Sequence, residues 1–230
     1  MSTVSEIAPV ITAAHDALRR DFPLRPFAIR HQLAGHQLLT LPQIAQLAAT
    51  LPRDQIEYNS GKVAIGQDPD AIPSVKLDPV DVVRQIETAG AWMVLKRVEA
   101  SPAYRKLLDD TLLSVARARG FNSTSEAGFE QIEGYIFVSS PNSTTPFHLD
   151  SEDNFFVQIH GEKYFTIFDN SDRSIVPDDE IERSMTKHRN LKYDESLADH
   201  GIEFHMFSGD GCYVPYQWPH WERTANTHSI

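Results

Sequence analysis

The sequence predicts a mainly β fold that is preceded by helices. From about residue 134 onward, short apolar segments alternate with turn residues, a texture typical of a barrel or sandwich. Before residue 125 the chain instead shows helical patterns with proline or glycine near their ends. The length of 230 residues favours a single domain. In this domain, residues 1–125 form a helical and mixed segment that packs on a β core of residues 126–230.

The first half contains four predicted helices and one predicted strand. Residues 11–22 are expected to form an amphipathic helix, because apolar side chains recur on one face. Three further helices begin after Thr40, Asp78 and Ser101, each with a proline in the first turn. The second of these ends at a glycine, and the apolar residues 91–95 that follow are expected to form a buried strand.

The second half contains a series of predicted strands. Residues 155–160 and 163–168 flank the dipeptide Gly161-Glu162, and this spacing predicts a hairpin with a two-residue turn. Residues 202–207 and 212–215 continue the series, with a glycine-rich turn between them.

Residues 169–201 interrupt the strands with a stretch that is dense in charges of both signs, including Lys187 and Arg189. Such stretches usually face water, so a solvated insertion is the favoured interpretation. A long loop between barrel strands is also where a substrate lid is found, and this is the less favoured alternative.

Composition excludes several classes of protein. Lys and Arg number 21 against 32 Asp and Glu, a net charge of -11, which disfavours general nucleic-acid binding. Cys212 is the single cysteine and cannot form an internal disulfide, while residues 1–10 lack the pattern of a signal peptide. The most apolar run, residues 89–95, is far shorter than a membrane span. We therefore expect a cytoplasmic protein without a membrane segment.

Two histidines and an aspartate are the candidate metal ligands. In a strand, His148 and Asp150 leave the same face and can converge on one ion, although a hydrogen-bonded pair without a metal is an equal alternative. His220, just past another strand, would complete the two-histidine, one-carboxylate set of non-haem Fe(II) oxygenases. The same set also suits Mn or Zn in a non-redox enzyme.

Lys163 is the second candidate functional residue. It alternates with Phe165 and Ile167 along one face of a predicted strand, so its ammonium group is expected to be buried beside an anion. The anion is either a protein carboxylate, such as Asp150 or Asp169, or the distal carboxylate of a dicarboxylate cosubstrate. The simpler alternative is a lysine at a strand end whose amine reaches water.

These residues lie in a longer pattern that resembles the Jumonji-C (JmjC), cupin-like 2-oxoglutarate oxygenases. The first half of the pattern is Thr145-Pro146-Phe147-His148-Leu149-Asp150, Asn154-Phe155-Phe156, Gln158-Ile159, Gly161 and Lys163. The second half is Gly209-Asp210, Tyr213, Pro215, Trp218 and His220. Together they cover about the last hundred residues.

The resemblance implies a double-stranded β-helix, a cupin-like jelly roll, with Fe(II) on the two histidines and the aspartate. It also implies that 2-oxoglutarate places its C5 carboxylate on Lys163 and Thr145, with Asn154 near the C1 end, and that O2 is the co-reactant. In the family another strand follows the second histidine, so a sequence that stops at Ile230 is expected to be truncated and to lack that strand. Oligomeric state is left open.

The function implied by the resemblance is an Fe(II)- and 2-oxoglutarate-dependent oxygenase that hydroxylates its substrate or demethylates it by hydroxylation. A protein side chain is the favoured substrate, with a small molecule as the alternative. Tyr135, Phe137, Trp218 and Trp221 are candidates for the pocket wall, although core packing is the commoner role of aromatic residues. Two rival functions are a non-catalytic, metal-binding cupin-like regulatory module and a non-redox metalloenzyme that uses the ion as a Lewis acid.

Overall fold

The computed structural model describes residues 10–186 and 190–230. The predictions made for residues 1–9, and for Lys187 and Arg189 in the charged stretch, lie outside these ranges. The strands are β1 (Ile11–Ala13), β2 (Phe27–His31), β3 (Ile56–Ser60), β4 (Ala91–Leu95), β5 (Ile136–Ser139), β6 (Thr144–His148), β7 (Asn154–Val157), β8 (Glu162–Ile167), β9 (Ile202–Phe207), β10 (Asp210–Val214) and β11 (His220–Thr224). The α-helices are α1 (Ala17–Arg20), α2 (Leu41–Thr50), α3 (Pro79–Arg84), α4 (Ile86–Ala89), α5 (Pro102–Ala118) and α6 (Asp178–Thr186).

Two four-stranded antiparallel sheets form the core of the fold. Their strand orders are β1-β2-β10-β7 and β6-β11-β8-β9, and a third sheet has the order β3-β4-β5. Buried side chains from both four-stranded sheets meet in one cluster, in which Phe165 and Ile167 of β8 contact Cys212 and Val214 of β10. From β6 to β8, and again from β9 to β11, consecutive strands alternate between these facing sheets, whereas β8 and β9 are neighbours in one sheet. The core is the expected double-stranded β-helix, and the predicted mainly β fold is confirmed.

Local signals in the first half predicted where its later helices begin and end, but Gln85 divides the single helix predicted after Asp78 into α3 and α4. Helix α2 begins immediately after Thr40, and α3 is capped by Asp78, whose carboxylate accepts from the backbone N–H of Val80 at 3.1 Å. Gly90 ends α4 in the left-handed conformation, and every residue of β4 is buried. Within the described residues, no helix combines the length and the apolar character needed to cross a bilayer.

The predicted helix over residues 11–22 is wrong. Ile11–Ala13 is a strand that pairs antiparallel with β2, and only residues 17–20 are α-helical. His15 and Asp16 separate the two parts because both have positive φ angles, 53° and 56°. The apolar residues are buried as expected, but strand pairing rather than a helical face buries Ile11.

The predicted hairpin around Gly161 is also wrong. Strand β7 pairs with β10, whereas β8 pairs with β11 and β9 in the opposite sheet. The turn therefore carries the chain across the barrel and does not fold it back on a neighbour. Gly161 has a φ of 81°, which suits glycine, and the backbone of the preceding His160 bonds to Ile230.

The last described residues are fastened to the barrel by backbone hydrogen bonds. Ser229 exchanges two bonds of 2.9 Å with Ser139 of β5, and the carbonyl oxygen of Ile230 accepts from the N–H of Ile159 at 2.7 Å. A buried histidine supports the same region: the Nε2 of His31 lies 2.9 Å from the carbonyl oxygen of Gln158. Its Nδ1 accepts from a backbone N–H at 3.1 Å. This arrangement fixes the neutral imidazole with the proton on Nε2.

The charged stretch of residues 169–201 is more than a solvated loop. It contains α6, and its apolar residues Ile175, Val176, Ile181 and Leu191 are buried against Phe147 and Leu149, which flank the end of β6. The backbone N–H of Leu191 donates to the carbonyl oxygen of Phe147 at 2.7 Å. The described charged residues of this stretch are exposed or half-buried, so the prediction of a water-facing surface holds for one side of the layer only.

Candidate metal centre

Neighbouring strands of one sheet bring the three predicted ligands together. His148 ends β6 and His220 begins β11, and these two residues are direct cross-strand partners. Asp150 follows β6 by two residues, so it projects to the same side as His148. Each residue offers one ligand atom, and these three atoms lie within 4.8 Å of one another.

The distances within this set are those of donors that surround a common point. The Nε2 of His148 lies 3.8 Å from one carboxylate oxygen of Asp150, and the Nε2 of His220 lies 3.6 Å from the other. The two imidazole rings are 4.3 Å apart between centroids and are inclined by 59°. The His220 side chain is only 4 % exposed, whereas Asp150 is 24 % exposed, so the set opens toward solvent on the aspartate side.

Backbone carbonyls orient both imidazole rings. The Nδ1 of His148 lies 2.7 Å from the carbonyl oxygen of Pro146, and the Nδ1 of His220 lies 2.9 Å from that of Trp218. Each Nδ1–H therefore donates to a carbonyl, and each Nε2 lies on the side of the Asp150 carboxylate. Burial lowers the pKa of His148, and the neighbouring His220 lowers it further, so this ring is neutral as a metal ligand must be.

Two further side chains hold the ligands in place. The amide Nδ2 of Asn154 donates to Asp150 Oδ2 at 2.8 Å. The ring of Phe165 stacks on His220 with 5.0 Å between centroids and an angle of 18°. The sequence resemblance assigns Asn154 to the C1 end of 2-oxoglutarate, and that assignment stays a prediction, since the structure shows its contact with Asp150.

Lys163 is buried as predicted, but its partner is none of the acids that the sequence suggested. Its Nζ donates to Glu222 Oε2 in an ion pair whose two side chains are 2 % and 4 % exposed. Neither Asp150 nor Asp169 is this partner. The ring of Phe156 covers the ammonium group, 5.0 Å from Nζ to the ring centroid. The pair is therefore enclosed in an apolar part of the barrel.

Glu222 is the functional candidate that the sequence analysis missed. It lies two residues after His220 on β11, so both side chains enter the barrel from the same strand face. Its direct partners on the adjacent strands are Thr145 of β6 and Phe165 of β8. The period-two pattern of β11 carried the signal, because a glutamate at this position must point inward with the histidine.

The four predicted pocket aromatics do not share one environment. Trp218 packs beside the cluster of Phe165 and Cys212 inside the barrel, whereas Trp221 packs with the outer cluster under residues 169–201. Phe137 contacts Phe156, with 6.4 Å between centroids. Tyr135 is 38 % exposed, and its hydroxyl donates to Glu133.

The donor set fits a divalent transition metal. Two imidazoles and a carboxylate are the protein ligands of non-haem Fe(II) oxygenases, in which the remaining coordination positions are left for other ligands. Closed structural zinc sites instead use four protein ligands. For 2-oxoglutarate the fit is incomplete, because Glu222 already pairs with the lysine that its distal carboxylate would need.

Comparison with known proteins agrees with this geometry. Residues 117–230 match the family model of the JmjC domain, and no curated protein matches the chain. The X-ray structure of Escherichia coli ycfD has a TM-score of 0.59 and 15% identity, over 96% of this chain and 52% of that one. Escherichia coli YcfD, described as a ribosomal oxygenase in complex with cobalt and 2-oxoglutarate, has a TM-score of 0.55 and 16% identity, over 94% and 50%. The chain thus spans about half the length of these structures, and the likeness shows the shared fold.

Proposed function

The C-terminal half of this chain belongs to the JmjC domain family, and from that premise we propose that the protein is an Fe(II)- and 2-oxoglutarate-dependent oxygenase. Its proposed reaction is hydroxylation of a C–H bond, with a protein side chain as the substrate. The Escherichia coli protein of similar fold is described as a ribosomal oxygenase bound to cobalt and 2-oxoglutarate, which supports both the cosubstrate and a protein substrate. A cytoplasmic location belongs to the proposal and is supported by the single buried cysteine, Cys212.

The observation that carries the proposal is the convergence of His148, Asp150 and His220 within 4.8 Å. Both rings are oriented by backbone carbonyls, so the chain holds the donor atoms before any ion arrives. Polar donors held in this way are costly to assemble for packing alone, since each buried polar group loses water when it is enclosed.

The residues of this chain have separate tasks in the proposed reaction. When bound, Fe(II) and 2-oxoglutarate supply the oxidising chemistry, in which O2 is consumed and the 2-oxo acid is decarboxylated to succinate. His148, Asp150 and His220 would hold the ion, and Asn154 would keep the carboxylate of Asp150 in position. The apolar barrel wall, including Phe165, would keep water away from the reacting centre.

The first experiment is an anaerobic titration of the Fe(II)-loaded protein with 2-oxoglutarate, observed by visible absorption. We expect the weak charge-transfer band of a chelated 2-oxo acid, and no band with His148→Ala. His205→Ala is the matched control, because this histidine is on the barrel exterior and pairs with Glu162. A band of equal strength in the His148→Ala variant would refute the assignment of the metal centre.

The second experiment tests the substrate class. Incubation with 2-oxoglutarate, O2 and either peptides or metabolites should add one oxygen atom to a peptide side chain. The mass spectrum distinguishes the two classes, since oxygen added only to metabolites would contradict the protein substrate.

A second candidate function is supported by the Lys163–Glu222 pair. A metal-binding cupin-like module without oxidative activity has no need for a free cation in the barrel, and here the cation is already paired. Metal binding with no 2-oxo acid binding of any kind would favour this regulatory module over the oxygenase.

A further inference from the structure

The enclosed cation of the barrel has an internal counter-charge. Lys163 and Glu222 are 2 % and 4 % exposed, and the ring of Phe156 covers the side of the ammonium group. Side chains of Phe165, Met206 and Cys212 form a buried apolar cluster in the same region. In such surroundings the two charges are held together strongly, because water does not screen them.

Glu222 enters the barrel between the two residues that the resemblance assigns to the cosubstrate's distal carboxylate. On one side its cross-strand partner is Thr145, and on the other side β11 runs along β8, where Thr224 is the partner of Lys163. The Glu222 carboxylate accepts from the lysine Nζ. A protein carboxylate therefore occupies the position on the lysine that the cosubstrate's carboxylate would take.

The charge balance sets a condition on any ligand that enters this end of the site. Lys163 and Glu222 together have no net charge. A second carboxylate beside them would leave one buried negative charge without a partner, and an unpaired buried charge is strongly unfavourable. A 2-oxo acid with an uncharged tail adds no second negative charge beside the pair, so it does not incur this cost.

We propose that Glu222 is a specificity-determining residue that competes with the distal carboxylate for Lys163, and so disfavours dicarboxylic 2-oxo acids relative to those with an uncharged tail. This inference rests on the proposed function, since it concerns the cosubstrate of the same site. It assigns to Glu222 the choice of ligand and no part in holding the metal.

The test is calorimetric binding of 2-oxo acids to the Mn(II)-loaded protein without O2, so that no turnover takes place. The two ligands are 2-oxoglutarate and 2-oxopentanoate, which has the same chain length without the distal carboxylate. With Glu222→Gln, we expect the affinity for 2-oxoglutarate to rise by about tenfold or more, because the competing charge is gone. The affinity for 2-oxopentanoate should change by less than about threefold, since its tail carries no charge to compete.

Two variants control for fold and for general charge. Glu162→Gln removes a carboxylate next to Lys163 in sequence whose side chain is on the exterior and pairs with His205, so it should change neither affinity. Glu222→Ala removes the competing charge without leaving an amide on the lysine, and it should gain affinity for 2-oxoglutarate in the same direction. If Glu222→Gln loses its fold, this second variant decides.

The outcomes separate the inference from the proposed function. Equal 2-oxoglutarate affinity in the wild type and in the folded Glu222 variants would overturn the competition and leave the oxygenase intact. Failure of all of them to bind any 2-oxo acid, with Mn(II) still bound, would overturn both. A large gain specific to 2-oxoglutarate would establish Glu222 as the residue that selects the cosubstrate.

Discussion

Gly161→Ala should destabilise the protein much more than an ordinary loss of a turn glycine. Gly161 has a φ of 81°, and for an alanine the left-handed conformation costs about 1–2 kcal/mol. In addition, a β carbon at this position would overlap the carbonyl oxygen of His228 and lie 3.2 Å from its carbonyl carbon. The backbone of residues 228–230 must then move away from the turn.

The cost of that movement follows from the bonds that fasten the segment. Ser229 exchanges two backbone hydrogen bonds with Ser139, and Ile230 bonds to Ile159 and His160. At about 1 kcal/mol for each bond, the loss of two of them adds about 2 kcal/mol, so the expected total is about 3–4 kcal/mol.

Gly128→Ala provides the matched control. Gly128 has the same φ of 81°, but an added β carbon would meet nothing within 4 Å. This variant should lose only the conformational cost of about 1–2 kcal/mol. Urea denaturation of both variants, monitored by circular dichroism, measures the difference between their free energies of unfolding. Equal losses of stability would refute the reasoning, because the clash with His228 would then cost nothing.

Three further predictions concern Lys163, Asn154 and His31. Lys163→Met should lower the free energy of unfolding by about 3–5 kcal/mol by leaving Glu222 unpaired, and the double variant Lys163→Met/Glu222→Leu should recover most of it in urea denaturation. If the single and double variants are equally unstable, the pair is not the cause. Asn154→Ala should weaken Mn(II) binding about tenfold in calorimetry by releasing Asp150, and unchanged affinity would exclude this role. Burial lowers the pKa of His31 below its ordinary value of about 6.5. As the pH falls below that value, the unfolded chain therefore binds more protons than the folded chain. Stability of the metal-free protein should then fall by up to about 1.4 kcal/mol per pH unit from this group, and His31→Gln should show a shallower slope.

Sequence signals were reliable where the physics is local. The starts of α2 and α3 follow from a polar residue and a proline, and the end of α4 follows from the left-handed conformation of Gly90. The predictions of the hairpin and of the helix over residues 11–22 were wrong because the structure of both segments depends on which strand pairs with them. Those partners are distant in sequence, and in this fold β7 and β8 belong to opposite sheets.

The candidate site shows the same division. His148 and Asp150 were predictable from their two-residue spacing in a strand, and His220, just past another strand, completed the two-histidine, one-carboxylate set. The burial of Lys163 followed from strand alternation, but its partner did not, because the register of β11 against β8 brings Glu222 to it from 59 residues away. Alternation from His220 places Glu222 inside the barrel, and only the pairing of strands shows what it meets there.

One strand of this protein belongs to two interiors at once. His148 points into the barrel, whereas its neighbours Phe147 and Leu149 are buried in the opposite direction, under the layer built from residues 169–201. The ring of His148 therefore has little freedom to swing, because any rotation of the backbone there would pull two anchors out of an apolar layer. The position of His148 is in this way fixed partly from outside the barrel, by the apolar side chains of that layer.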